Sequence, residues 1–128
     1  MRQLESAEQK KIVQWWHLAC RRYKLPEKIL FAIPNGGRRD AITGARLKAE
    51  GVRAGVPDLF LAHPNSRGSC GLFLELKQGK GSDKGQLSEA QKECLFELNK
   101  QGYAVCVPYG FDEAKKYIED YLEEEANV

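Results

Sequence analysis

Glu75 and Lys77 stand two residues apart in the run Leu72-Phe73-Leu74-Glu75-Leu76-Lys77, and Asp58 heads an earlier apolar run, Leu59-Phe60-Leu61, behind Val56-Pro57. The polar segment from His63 to Gly71 between them carries Pro64, Asn65, Ser66 and Gly68, so the two runs read as adjacent strands joined by a turn. Side chains alternate along a strand, which places Leu72, Leu74 and Leu76 on one face and Phe73, Glu75 and Lys77 on the other. Glu75 and Lys77 are then neighbours pointing the same way. A charge inside an apolar strand needs a partner, a metal or a wet cleft, because burying it alone costs several kcal/mol. If the strands pair, Asp58 meets Glu75, and two converging carboxylates repel until a divalent cation joins them. Hard oxygen ligands that leave much of the coordination to water suit Mg²⁺ or Mn²⁺. Lys77 would then orient an attacking water or neutralise charge growing on a phosphate oxygen. Taken alone, Glu-x-Lys is a weak signal that an ordinary solvent-facing strand also produces.

The chain has 128 residues, 42% of them hydrophobic, enough for one compact domain with a real core. No apolar run approaches the ~20 residues of a membrane span, and the charged N-terminus lacks a signal-peptide core, so a soluble cytoplasmic protein is expected. Cys20, Cys70, Cys94 and Cys106 are spread singly with no C-x-x-C pair, which argues for reduced thiols over a zinc site or a disulfide framework. Net charge is +2, yet residues 1–60 hold 12 Lys/Arg against 6 Asp/Glu and residues 61–128 hold 8 against 12. A basic front is compatible with a nucleic-acid partner without being specific for one.

The elements that must position the charges follow in order. Ser6-Ala7-Glu8-Gln9 has the form of a capping box, predicting a helix from there to about Tyr23 with Ile12, Trp16, Ala19 and Tyr23 inward. Glu8 falls on that inward face, either as a first-turn acid favoured by the helix dipole or as a third acid for the site. Ile29 to Ile33 reads as a strand running into Pro34-Asn35-Gly36-Gly37-Arg38-Arg39, where free amides and two guanidinium groups suit a phosphate and equally suit a solvated turn. Ala41 to Glu50 predicts a short helix stopped by Gly51, with Lys48 and Arg53 adding to the basic front. Residues 78–85 form a Gly-rich loop carrying Lys80 and Lys84, of the kind that contacts a nucleic-acid backbone or simply links. It lacks the P-loop pattern, so no nucleotide cofactor is expected. Ser88-Glu89-Ala90-Gln91 is a second capping box, opening a helix to about Gln101, and Gln91 there satisfies the cap or reaches a water or phosphate at the site. Tyr103 to Val107 predicts a strand, and Asp112 a cap for a last helix with Ala114, Tyr117, Ile118, Tyr121 and Leu122 inward. Helices flanking a small mixed β-sheet, an α/β fold, follow from this order.

Pro57-Asp58, a spacer and Glu75-x-Lys77 together resemble the PD-(D/E)XK nuclease superfamily, whose restriction-endonuclease-like core is such an α/β fold. With Glu8, Pro34-Asn35-Gly36-Gly37, Leu47-Lys48-x-x-Gly51-Val52-x-x-Gly55-Val56-Pro57-Asp58-Leu59, Glu75-Leu76-Lys77 and Gln91 in order, the chain resembles the VRR-NUC (virus-type replication-repair nuclease) family in its minimal stand-alone form. The likeness runs through the chain except for a last helix and acidic tail, about 111–128, taken as peripheral. It implies a Mg²⁺- or Mn²⁺-dependent endonuclease hydrolysing phosphodiesters in branched DNA such as four-way junctions. Asp58, Glu75, the Leu76 carbonyl and Glu8 would be metal ligands, Lys77 the catalytic lysine, and Gln91 the glutamine placed after the lysine strand. Asn35, Gly36, Gly37, Arg38, Arg39, Lys48, Arg53, Lys80 and Lys84 are candidate DNA contacts, and a symmetric homodimer is implied, with Trp15 a candidate interface residue. The competing reading is a DNA-binding module that keeps the fold and does no chemistry.

Overall fold

A computed structural model describes residues 2–34, 41–79 and 85–123. Helix α1 (Arg2–Ala19) leads through a 3₁₀ turn (Glu27–Ile29) into strand β1 (Leu30–Ala32). Helix α2 (Ala41–Ala49), strands β2 (Leu59–Leu61) and β3 (Leu72–Leu74), helix α3 (Glu89–Lys100), strand β4 (Ala104–Cys106) and helix α4 (Phe111–Glu123) follow. The strands form one sheet in sequence order, antiparallel from β1 to β3 and parallel between β3 and β4, with α3 as the crossover that parallel pairing demands. The predicted order of elements and the mixed sheet are both present.

Alternation along the strands sorts the core from the site. Leu30, Leu59, Leu61, Leu72, Leu74, Leu76 and Cys106 are buried together with Ile12 and Trp16 of α1 and Ala114, Ile118 and Tyr121 of α4. Each buried leucine contributes about 2 kcal/mol, which holds rigid the strands that carry the charged residues on their other face. On that other face Phe31, Phe60 and Phe73 lie in register across three strands, with Phe60 and Phe73 stacked at 4.2 Å between ring centroids. The turn between β2 and β3 is built on Asn65, whose side-chain oxygen accepts from the backbone N–H of Arg67 and of Ser69. Tyr121 ties it to α4 by donating its hydroxyl to the His63 carbonyl at 2.7 Å.

Four expectations are corrected here. Helix α1 begins at Arg2, so Ser6 and Gln9 lie inside it and form no cap. The last helix starts at Phe111, one residue before the Asp112 predicted to cap it, and its buried Ala114, Ile118 and Tyr121 make it part of the core rather than an appendage. Tyr117, expected inward, is exposed, since it lies off the stripe that those three residues define. Trp15 is half-buried against the core beside Trp16, so it is no free surface aromatic. All four cysteines are free thiols. No described helix is long and apolar enough to cross a membrane.

Candidate active site

The site forms where β2 stops pairing and β3 does not. Asp58 is the last laddered residue before Pro57, which has no N–H to give. Its carbonyl accepts from Ile33 N–H at 2.9 Å and its N–H donates to Leu74 O at 3.0 Å, so its backbone is clamped by both neighbouring strands. Leu59 already pairs with Leu74, hence two residues of β2 share one of β3, the arrangement of a β-bulge, which re-aims a side chain. The re-aimed Asp58 carboxylate takes over the vacated ladder position, its Oδ2 accepting from Leu76 N–H at 2.7 Å.

Beyond Leu74 the chain leans on β4 alone. Glu75 N–H donates to Cys106 O at 2.9 Å and Lys77 N–H to Pro108 O at 3.0 Å. Backbone groups alternate between the two edges of a strand, so the N–H and carbonyl of Leu76 face the opposite edge, toward Asp58. Glu75 is 2% exposed, the one buried charged residue among those described. Burial pushes its carboxyl up to about 8, the neighbouring Asp58 charge adds to this, and Lys77 opposes it. Its Oε1 is buried and accepts no hydrogen bond. Its Oε2 accepts from Gln91 Nε2 at 3.0 Å and lies 4.0 Å from Lys77 Nζ. Lys77 Nζ in turn donates to Gln91 Oε1 at 2.9 Å. Gln91 therefore completes the cap of α3 and also bridges Lys77 and Glu75.

Glu8 is placed differently. Its Oε1 accepts from Phe111 N–H at 2.8 Å and its Oε2 pairs with Lys11 at 2.9 Å, so it caps α4. The reason is local: Gly110 precedes that helix and offers no side chain to its first amide, so α1 supplies the acceptor. A second acid of α1, Glu5, approaches the site: it raises the Glu75 carboxyl through its charge and lines a groove of about 660 Å³ together with Asp58 and Leu76. Gln9, Lys10 and Val13 of α1 form one wall of that groove, and Ile33 and Pro34 the other. Sequence reasoning passed over Glu5 because the Ser6 pattern put the helix start after it. The missed signal is spacing: Glu5 lies seven residues, two helical turns, before buried Ile12.

Among the described residues no group of three or more His, Cys, Asp or Glu side chains is gathered closely enough to hold a metal ion. The pair Asp58 and Glu75 nevertheless fits a hard divalent cation, since Mg²⁺ takes one or two carboxylates and keeps several waters. Charge shared between them would relieve their repulsion and give Glu75 Oε1 a partner. Lys48 and Arg53 are exposed at the end of α2 and in the turn after it. Asn35, Gly36, Gly37, Arg38, Arg39, Lys80 and Lys84 lie outside the described residues.

The signature of the VRR-NUC domain matches residues 3–112. No curated protein matches the sequence. Among solved structures, one titled "VRR_NUC domain protein" is similar over 94% of this chain and 88% of its own, with 26% sequence identity and a TM-score of 0.76.

Proposed function

The chain belongs to the VRR-NUC family, and from that premise we propose that it is a divalent-cation-dependent endonuclease acting on branched DNA. Membership implies nuclease-type function of the PD-(D/E)XK kind, with DNA as substrate. The observation that carries the proposal is the buried Glu75, set against Asp58 with one oxygen unmet and an ammonium group beside it. A strand acid kept only for solubility would face water.

Asp58, Glu75 and the Leu76 carbonyl would hold Mg²⁺ or Mn²⁺, and Glu5, which lines the groove with Asp58 and Leu76, would be the helix acid at the mouth of the site. When bound, the cation supplies charge to the scissile phosphate and makes water a competent nucleophile at neutral pH. The protein's own groups do the rest. Lys77 holds a fixed positive charge where negative charge grows on the phosphate oxygens, and Gln91 fixes where that ammonium sits. Core leucines exclude water from below, and the clamped Asp58 backbone leaves the groove as the route of approach.

The test is a panel of labelled hairpin, flap, four-way and linear duplexes with Mg²⁺ and Mn²⁺ compared. Branched substrates are cut first, and Asp58→Asn, Glu75→Gln and Lys77→Met each lower the rate by about a hundredfold or more while folding survives. Tight junction binding without cleavage, unaffected by those changes, would favour the binding-module reading instead.

A further inference from the structure

We propose that Ser88, the N-cap of α3, is a positioning residue of the active site: it fixes which end of the Gln91 amide meets which partner. The inference rests on the hydrolytic reading of the site. Ser88 N–H donates to Gln91 Oε1 at 2.9 Å, and Ser88 Oγ accepts from Gln91 N–H at 3.1 Å, a complete capping box. Gln91 Oε1 also accepts from Lys77 Nζ at 2.9 Å. A backbone amide and an ammonium group can only donate, so the atom between them must be the oxygen. The Gln91 NH₂ is thereby left for Glu75 Oε2, an acceptor, at 3.0 Å. Rotated by half a turn, the amide would set donors against two donors and an oxygen against a carboxylate.

The cap thus acts on the chemistry through one side chain. Gln91 is interposed between Lys77 and Glu75, whose Nζ and Oε2 remain 4.0 Å apart. Without it, Lys77 Nζ would hydrogen-bond Glu75 Oε2 directly and turn away from substrate. A second contact sets where the cap sits. Gly55, at φ +86°, lies so close to the backbone of Ala90 that an added Cβ would come within 2.5 Å of the Ala90 oxygen. The segment leading into Asp58 and the first turn of α3 are therefore packed backbone to backbone.

Ser88 has φ −73°, which proline adopts, so Ser88→Pro removes the N–H without forcing the chain to bend. Ser88→Ala keeps the N–H and loses Oγ, Ser88→Thr keeps both, and Gln91→Glu keeps the capping box while replacing the NH₂ that serves Glu75. Steady-state cleavage by the full chain should give Ser88→Thr within about twofold of wild type, and Ser88→Pro about tenfold or more below Ser88→Ala in kcat with KM unchanged. Gln91→Glu sets an oxygen against the Glu75 carboxyl, so it should melt below wild type, stay folded at the assay temperature and lose about a hundredfold in kcat. In ¹⁵N spectra the two Gln91 side-chain hydrogens should be protected from exchange with water in wild type and Ser88→Thr, and exchange at the rate of a free side-chain amide in Ser88→Pro. Equal kcat for Ser88→Pro and Ser88→Ala, or full activity in Gln91→Glu, overturns the proposal and leaves a plain helix cap. Should Ser88→Pro fail to fold, Gln91→Glu decides. If wild type cuts none of the substrates, the nuclease reading fails on its own, and the amide resonances still judge the positioning.

Discussion

Glu75 owes its position to two opposed demands. The strand's apolar run buries it, and burial with Asp58 alongside holds its proton up to about pH 8 against an ordinary value of 4.5. A carboxyl whose folded pKa is raised favours the folded state while protonated, so that stability is complete below about pH 4.5 and lost as pH rises through about 8. In chelator, the melting temperature of wild type should therefore fall relative to Glu75→Gln across this window, because Gln has no proton to lose. Adding Mg²⁺ or Mn²⁺ at pH 8 should recover the difference in wild type and do much less for Glu75→Gln. Scanning calorimetry decides, and parallel curves at every pH would remove the buried acid from the account.

Elements divide the acids between structure and site, and α1 does so by where it starts. Because it begins at Arg2, Glu5 faces the groove with Asp58, and Glu8, less than a turn further on, closes the end of α4. Glu8→Ala should cost about 1 to 2 kcal/mol of stability with cleavage largely kept. Glu5→Gln should leave the melting temperature in place and slow cleavage about tenfold. The opposite pattern in paired melting and cleavage assays would return Glu8 to the site. Strand alternation made Asp58, Glu75 and Lys77 legible in the sequence, since three charges in two apolar runs have few places to go. Helix starts are less legible: Ser6-Ala7-Glu8-Gln9 satisfies the same local pattern as Ser88-Glu89-Ala90-Gln91, yet only the second caps a helix. What separates them is the chain before each, already helical in the first case and extended at Ser88 in the second.

At the scale of the whole molecule, the order of elements and the mixed sheet followed from periodicity and turn chemistry, while the slip that lets Asp58 and Leu59 share Leu74 did not. That slip depends on which carbonyl lies opposite, a long-range fact with no local mark. The place of α4 was hidden for a similar reason: an amphipathic stripe does not say how much of a core it completes. One small domain offers little surface for two arms of a branched duplex, so the working species is proposed to be a homodimer. Light scattering at assay concentrations should return twice the 14.5 kDa of the chain, and a monomer there would refute it.

The parallel pairing of β3 with β4 has a consequence for synthesis. Asp58, Glu75 and Lys77 have all been made by the time residue 77 is joined, yet Glu75 and Lys77 take their backbone support from Cys106 and Pro108, and the amide that orients them arrives with Gln91. A nascent polypeptide carrying all three charged side chains thus still lacks the backbone that holds two of them, and the proposed site is complete only when the last strand has left the ribosome.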